Sequence, residues 1–384
     1  MKDKELLSVI AKGEDSKHQF KSDIKNAESL GAEMVALSNA SGGLILIGVN
    51  DDGSPSGLDA KDVVRINQLI SNAATENVRP PVSPATENIS LPEGVVIAVT
   101  IEPGVSKPYQ DAKGQVWSKS GADKRRVTAR EELQRMFQQS GLLHGDEIPV
   151  EGTSTTDINQ EYFEPFFERY TGKPLTAQEV PLENILENIK LMKNGQLTIA
   201  GTLLLTKEPQ YRLPAFIVKA VSFPGKDITD THYIDSKDIN GKMSDIFSET
   251  MRFVLSNIHY RQNGQSINSI GIPEIPRIVL EELIANALIH RDYFVSAPIR
   301  ILVFVDRVEI ISPGHLPNNL TVEDIKRGNS NLRNPTIASF APSILPYRGL
   351  GSGILRALQV YPDIEFVDDR DGNIFKSVIK RTAA

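Results

Sequence analysis

Two short stretches decide how this chain is interpreted: EELIANALIH at 281–290 and RGLGSGI at 348–354. In the first, the apolar residues recur with helical spacing, and Glu282, Asn286 and His290 lie four positions apart on one face of the predicted helix. In the second, three glycines lead directly into an apolar helix. Glycines let a backbone approach a ligand closely, and a helix N-terminus presents free N–H groups. The turn is therefore suited to binding phosphate.

The polar stripe on the first helix has two interpretations. A carboxylate one helical turn from an amide oxygen can orient a water molecule beside a Mg²⁺ ion that the amide holds, which is one arrangement for attack on a terminal phosphate. The alternative is a solvated stripe without chemistry, and the spacing alone favours that alternative. Because the chain has no GxxxxGK[ST] segment, a P-loop ATPase or helicase motor is disfavoured.

The rest of the chain separates into zones. The first zone mixes amphipathic helices with apolar strands, which predicts an α+β domain. A segment rich in Gly, Pro, Ser and Thr then predicts a linker. The predicted boundaries are an N-terminal domain at 1–141, a linker at 142–157, a middle region of helices and strand at 158–260 that packs on the C-terminal domain, and a C-terminal domain at 261–384.

Composition narrows the classes of protein. The chain has 384 residues, which favours two or three domains, and 0 cysteines, which excludes disulfides, thiolate metal sites and cysteine nucleophiles. No apolar run approaches the length of about 18 residues that a membrane span needs, and the N-terminus has no signal-peptide pattern. We therefore expect a soluble, cytoplasmic protein with no membrane partner. The net charge of −7 means that a local patch must carry any nucleic-acid contact.

One such patch is a cluster of basic residues between Trp117 and Arg135, close to Tyr109. We expect both Tyr109 and Trp117 to be exposed beside it. Basic residues with neighbouring aromatic rings suit contacts to a nucleic-acid backbone, but a solvated helix face explains such a cluster equally well. The clustered residues are Lys119, Lys124, Arg125, Arg126, Arg130 and Arg135.

Longer segments extend the C-terminal pattern: HRDY at 290–293, PIRI at 298–301, DRVEI at 306–310, SPGHLP at 312–317 and RNP at 333–335. With the helix and the glycine turn, they resemble the divergent GHKL-type ATPase domain of regulators described as RecG-like or Schlafen-like. The resemblance implies a GHKL-like α/β sandwich that binds ATP and Mg²⁺. It makes Glu282 the water-activating base and Asn286 the Mg²⁺ ligand. The nucleotide contacts that it implies are Asn286, His290, Gly314, Gly349, Gly351, Ser352 and Gly353.

The sequence departs from the GHKL pattern at one position. A typical member has an Asp-x-Gly-x-Gly box whose aspartate reads adenine, whereas this chain has Ser312, Pro313 and Gly314 there. The departure removes the carboxylate that selects ATP.

The N-terminal zone carries a second resemblance. Glu14, the QFK segment at 19–21, SGG at 41–43, the strand LILIGV at 44–49 and WSKSG at 117–121 together resemble the AlbA-like domain of Schlafen proteins and bacterial regulators. The resemblance implies nucleic-acid binding, with DNA as the expected partner, and a homodimer, because AlbA-like folds commonly pair. The residues expected to contact phosphate are Lys21, Lys119, Lys124, Arg125 and Arg126.

Some relatives of this second kind are metal-dependent nucleases that use two glutamates and a later acidic residue. Here Glu14 stands at the first position, but Gln19 stands at the second. A neutral amide is a poorer Mg²⁺ ligand than a carboxylate. Glu14 and Asp51 or Asp52 are then the remnants of such a site.

The leading hypothesis is an α+β transcriptional regulator with an N-terminal DNA-binding domain and a C-terminal module whose bound nucleotide shifts the arrangement of the domains. The alternatives are a slow Mg²⁺-dependent ATPase that uses Glu282, a metal-dependent nuclease, and a catalytically inactive assembly scaffold.

Overall fold

The computed structural model describes residues 3–262, 270–317 and 320–381. The chain forms two compact units, Met1–Leu143 and His144–Ala384. Helices and sheets occur in both units, which confirms the predicted α+β class. Within the described residues, no helix combines the length and the apolarity that crossing a membrane requires.

The first unit has four helices and eight strands in its described part. In chain order they are α1 (Asp3–Ile10), β1 (His18–Lys21), α2 (Ala27–Asn39), β2 (Gly43–Ile47), α3 (Ala60–Glu76), β3 (Val78–Arg79), β4 (Ala85–Leu91), β5 (Gly94–Ile101), β6 (Gln110–Asp111), β7 (Trp117–Ser120), β8 (Asp123–Arg126) and α4 (Arg130–Gln139).

The main sheet of the first unit has the order β1-β2-β5-β4, with β1 parallel to β2 and the other pairs antiparallel. Strand β2 is apolar throughout because both of its faces are covered. Ile45 and Ile47 point to one face, into the core that also contains residues of α2 and α3. Leu46 points to the opposite face, where it packs with Leu6 of α1 and with Phe20. Because its side chains point alternately to opposite faces of the sheet, the short strand β2 contributes residues to two hydrophobic cores.

The basic hairpin, defined as β7 and β8, is attached to the C-terminal end of α2. Its register pairs Trp117 with Arg126 and Lys119 with Lys124. The Asn39 amide donates to the carbonyls of Tyr109 and Trp117 at 2.9 and 2.8 Å, and its oxygen accepts from the Tyr109 N–H. The expectation that Tyr109 is exposed was wrong: only 6% of it is accessible, because it belongs to the core under α2 and α3.

The second unit has eight helices and ten strands in its described part. They are α5 (Gln160–Thr171), α6 (Leu182–Asn188), β9 (Met192–Lys193), β10 (Gln196–Leu197), α7 (Ile199–Leu205), β11 (Val218–Ser222), β12 (Asp235–Ile239), α8 (Met243–Ser256), β13 (Tyr260–Arg261), β14 (Ile272–Pro273), α9 (Arg277–His290), β15 (Ile299–Val303), β16 (Arg307–Pro313), α10 (Val322–Lys326), α11 (Pro335–Ile344), α12 (Gly353–Val360), β17 (Ile364–Asp369) and β18 (Ile374–Lys380).

A six-stranded sheet organises this unit, in the order β12-β11-β15-β16-β18-β17. Only β11 and β15 pair in parallel; the other pairs are antiparallel. One continuous core contains residues of α5 and α7 as well as residues of α9 and the sheet. Helix α9 packs against α8, β16 and α12. The middle region and the C-terminal region therefore share one core.

Residues 142–157, where the sequence predicted a linker, contain ordered structure. Short 3₁₀ helices cover Gly145–Glu147 and Thr155–Asp157, and Val150 belongs to the core of the second unit. Asp146 is completely buried and accepts a hydrogen bond from the Ile337 N–H at 2.9 Å, in the first turn of α11. Asp146 of this segment thus caps the N-terminus of α11, in addition to the turns that the segment forms. The exact domain boundaries stay a prediction.

Candidate functional sites

Helix α9 and the loop before α12 border one cavity of about 110 Å³ in the second unit. All the residues that the sequence assigned to a nucleotide site line this cavity: Glu282, Asn286, His290, Gly314, Gly349, Gly351, Ser352 and Gly353. The structure thus brings together residues from three separate parts of the chain. Their roles stay predictions.

The glycine loop, residues 349–353, needs glycine for two reasons. Gly351 has a φ of +69°, and a Cβ there would lie 2.5 Å from the Gly328 carbonyl oxygen. A Cβ on Gly353 would overlap the carboxylate of Glu282. At the start of α12, Ser352 makes no side-chain cap, so within the described residues the first-turn N–H groups of this helix have no capping side chain. The loop therefore presents close-packed backbone and free donors to the cavity.

Glu282 lines this cavity and forms a buried ion pair with Arg356. Its Oε1 is 2.5 Å from Nη2 of Arg356, and its side chain is 6% exposed. Burial raises the pKa of Glu282, while the nearby charge of Arg356 acts in the opposite direction. Sequence reasoning missed Arg356; the available signal was its position one turn after the glycine loop, as the only charged residue of α12.

The charges around the cavity are few. Among the described residues, Glu282 is the only carboxylate that lines it, and Arg348 and Arg356 are the only guanidinium groups. Arg348 is exposed and has no ion-pair partner in the described ranges. His315 also lines the cavity, and burial lowers its pKa. The lining therefore carries one negative and two positive side chains at neutral pH.

Asn286 is the candidate Mg²⁺ ligand. It is half-buried, lines the cavity and makes no side-chain hydrogen bond in the described part of the chain. No cluster of three or more His, Cys, Asp or Glu side chains suited to a metal occurs in that part. A Mg²⁺ ion is commonly held by one or two protein oxygens together with waters and substrate phosphates. One amide oxygen fits that kind of site, in which the nucleotide supplies further ligands.

Part of the cavity lining is apolar. Phe366 and Phe375 stack there with ring centroids 6.0 Å apart. Ser312, at the position where GHKL proteins read adenine with an aspartate, donates a hydrogen bond of 3.1 Å to the Ala287 carbonyl of α9. The hydroxyl thus joins strand β16 to helix α9.

The RNP segment at 333–335 positions α9. Arg333 donates to the His290 carbonyl at 3.3 Å, and Asn334 donates to the carbonyls of Ile289 and Arg291 at 2.8 and 2.7 Å. These are carbonyls at the C-terminal end of α9, which lack partners within the helix. The motif therefore acts as a cap from a distant segment.

His290 is neutral in the folded protein. Burial, helped by the charge of Arg333, lowers its pKa to about 4. The unfolded chain takes up a proton at this position below about pH 6.5. Above pH 6.5, His290 is neutral in both states and does not lower the free energy of unfolding. As the pH falls from 6.5 to 4, protonation of His290 in the unfolded chain lowers the free energy of unfolding by up to about 3 kcal/mol.

We expect the wild type to lose stability relative to H290Q as the pH falls from 7 to 4.5. Urea denaturation of both proteins, followed by circular dichroism, measures this difference. Burial also raises the pKa of Asp146 to about 6, which favours the folded state as the pH falls, but this contribution is present in both proteins and cancels. An identical pH dependence of the two proteins would contradict the assignment of His290 as a half-buried neutral group.

The first unit contains the residues predicted to bind nucleic acid, and most of them have partners within it. Lys124 pairs with the buried Glu33 at 2.5 Å, and Arg125 forms a bidentate pair with Glu132 at 2.7 and 3.0 Å. Lys119 donates to the Gln19 side chain at 2.8 Å.

Of the five residues predicted to contact phosphate, Arg126 and Lys21 have no ion-pair partner within the described residues. The Arg126 side chain is exposed, lies 5.2 Å from the centre of the Trp117 ring and makes no ion pair within the described residues. Lys21, at the end of β1, is half-buried and likewise has no ion-pair partner in the described part of the chain. The free positive charge of this region is therefore smaller than its sequence indicates.

The residues expected to remain from a nuclease site, Glu14 and Asp51 or Asp52, belong to no cluster of three or more His, Cys, Asp or Glu side chains suited to a metal within the described residues. Glu14 accepts hydrogen bonds from the Gln19 amide and from the Phe20 N–H. Asp52 accepts from the N–H and the hydroxyl of Ser54 within its own turn. These acceptors are used to hold local structure, and nothing in their geometry favours a nuclease.

Two family models match the chain in the places where the two resemblances lie. Residues 14–128 match the family "Schlafen, AlbA_2", and residues 296–368 match the family "Putative ATP-dependent DNA helicase recG C-terminal", an HATPase-type domain. The chain therefore contains a Schlafen AlbA_2 domain followed by an ATPase-like domain of the recG C-terminal type, and the prediction of these two domains is confirmed. This pair of domains indicates a nucleic-acid-related, ATP-binding function.

Solved structures give weaker likenesses. The crystal structure of the DIP2311 protein from Corynebacterium diphtheriae is 20% identical, covers 98% of this chain and 80% of its own, and has a TM-score of 0.46. The solution structure of the N-terminal domain of a "Putative ATP-dependent DNA Helicase RecG-related Protein" from Nitrosomonas europaea is 20% identical, covers 34% of this chain and 96% of its own, and has a TM-score of 0.24. No curated protein matches the chain significantly.

Proposed function

We propose that this chain is a DNA-binding transcriptional regulator whose second unit binds ATP or a related nucleoside triphosphate. The observation that carries the proposal is the cavity where the polar face of α9 meets the glycine loop and the N-terminus of α12. Nucleotide occupancy would shift the populations of conformations that differ in their affinity for DNA. A cytoplasmic homodimer stays an expectation from the sequence.

The residues fit a polyphosphate. The surroundings of Gly351 and Gly353 leave no room for a side chain. Because these residues have none, a ligand can approach the backbone of the loop directly. The N-terminus of α12 favours negative charge there, and so does Arg348, which has no ion-pair partner among the residues that the structure describes. Asn286 would hold a Mg²⁺ ion, which neutralises phosphate charge when bound. Because Ser312 replaces the carboxylate that reads adenine, we expect ATP and GTP to bind with affinities within about tenfold of each other.

Arg348→Ala should weaken the binding of ATP by about tenfold, because it removes an unpaired cation beside the loop. Isothermal titration calorimetry with ATP and Mg²⁺ measures the affinity. Arg327→Ala is the matched control, since Arg327 is also exposed but lies outside the cavity lining. Equal affinities of the two variants would remove Arg348 from the site, and absence of any nucleotide binding by the wild type would refute the proposed function.

Binding of duplex DNA should fall steeply as salt rises, because phosphate contacts release counterions. Arg126→Ala should reduce the affinity about threefold to tenfold and flatten the salt dependence by about one unit of slope. Fluorescence anisotropy with labelled DNA at several salt concentrations measures both quantities. Arg79→Ala, an exposed arginine of the same unit outside the basic hairpin, is the control. A wild type that binds no DNA at low salt would exclude the DNA-binding part of the proposal.

A further inference from the structure

The carboxylate of Glu282 is in direct contact with the glycine loop. Oε2 of Glu282 lies so close to Gly353 that a Cβ on that residue would overlap it. The other oxygen is paired with Arg356 at 2.5 Å. Gly353 and Arg356 both belong to the first turn of α12. The acidic group is thus held by the same helix turn that would receive the phosphates.

This placement creates an electrostatic problem for an anionic ligand. A carboxylate buried at the end of the loop repels phosphate, and the repulsion is strong because little water screens it. Among the described residues, Glu282 is the only acidic side chain that lines the cavity. Arg356 lies directly beside it and carries the opposite charge, so the pair is neutral as a unit.

We propose that Arg356 is a positioning residue for polyphosphate binding, which engages the Glu282 carboxylate and cancels its charge so that the cavity accepts the phosphates. This inference rests on the proposed nucleotide-binding function and extends it. Because the carboxylate is occupied by Arg356, it is also withheld from activating water. The site therefore binds a nucleotide without hydrolysing it, in contrast to the slow ATPase that the sequence pattern allowed.

A double-mutant cycle tests the inference through affinity alone. The four proteins are the wild type, R356M, E282Q and R356M/E282Q, each titrated with ATP and Mg²⁺ at pH 8. R356M should bind about tenfold more weakly, because it leaves the buried carboxylate unpaired, and E282Q should bind about tenfold more tightly, because it frees a cation. The double variant should return to within about threefold of the wild type, because neither charge remains.

Other outcomes separate the possibilities. If Arg356 contacts the phosphates directly, the double variant will bind as weakly as R356M, and the inference is overturned. If R356M binds like the wild type, Glu282 does not repel the ligand, which also overturns it. If the wild type binds no nucleotide, both the inference and the proposed function are refuted. If the wild type binds but the double variant does not return to within about threefold of its affinity, only the inference is refuted.

Three further measurements serve as controls. R356K keeps the charge beside Glu282 and should retain an affinity within about threefold of the wild type, since a lysine can also pair with the carboxylate. Circular dichroism and thermal unfolding establish that each variant is folded. Phosphate release should stay at background for the wild type and for E282Q alike, and release above background that depends on Glu282 would contradict the withheld carboxylate.

Discussion

Gly353→Ala should lower the affinity for ATP by about 100-fold, which corresponds to about 2.7 kcal/mol, the loss of one or two hydrogen bonds to a charged group. Gly353 has a backbone conformation that alanine adopts readily, so the cause is contact and not strain. The added Cβ would overlap the Glu282 carboxylate, which is fixed by Arg356. Either the ion pair must separate or the first turn of α12 must move outward, and both changes displace the N–H groups that would meet the phosphates.

Isothermal titration calorimetry with ATP and Mg²⁺ measures this loss. Gly225→Ala is the matched control in the same unit: its backbone conformation also suits alanine, and its Cβ would meet only Asp230 Oδ2, at an ordinary 3.5 Å. The control should bind like the wild type. Unchanged affinity of G353A would mean that the glycine loop does not approach the ligand closely.

Lys124→Met should destabilise the first unit by about 2 to 3 kcal/mol, because it leaves the Glu33 carboxylate buried and unpaired. Glu33 has a side chain only 8% exposed, and its second oxygen already lacks a hydrogen-bond partner within the described residues. Lys124 was predicted to contact nucleic acid, but its geometry shows a structural ion pair. The effect should therefore appear in the absence of DNA.

Urea denaturation followed by tryptophan fluorescence measures this change directly, since the chain has 1 tryptophan, Trp117, in the first unit. The double variant K124M/E33M should recover most of the lost stability, because it removes both charges and leaves two apolar side chains of suitable length. Arg126→Ala, two positions further along the same strand β8, should change stability little. If K124M is as stable as the wild type but binds DNA weakly, Lys124 serves the interface and not the fold.

Periodic patterns predicted much of the fold. Helix α9 and strand β2 follow from their apolar spacing, because local geometry decides which residues share a face. Helix α3, at 17 residues the longest in the first unit, was missed. Its buried residues are Ile66, Ile70, Ala73 and Ala74, and Val63 and Leu69 pack beside them, so the helical spacing that predicts α3 was present in the sequence.

Partners distant along the chain were beyond prediction. Arg356 is 74 residues from Glu282, and Lys124 is 91 residues from Glu33. Spacing within one element places Glu282, Asn286 and His290 together, but nothing local indicates which charge will face which. Tyr109 illustrates the same limit, because its burial depends on packing with α2 and α3 and not on its own neighbours. The residues of the candidate site were thus predictable, whereas their electrostatic state was not.

A crystal structure of the whole chain with Mg²⁺ and a nonhydrolysable ATP analogue would show whether the cavity binds a nucleotide. We expect density for the phosphates against residues 349–353, a Mg²⁺ ion at the Asn286 oxygen, and Arg356 still paired with Glu282. Crystals grown with saturating analogue that show an empty cavity, or a nucleotide bound elsewhere in the chain, would contradict this expectation.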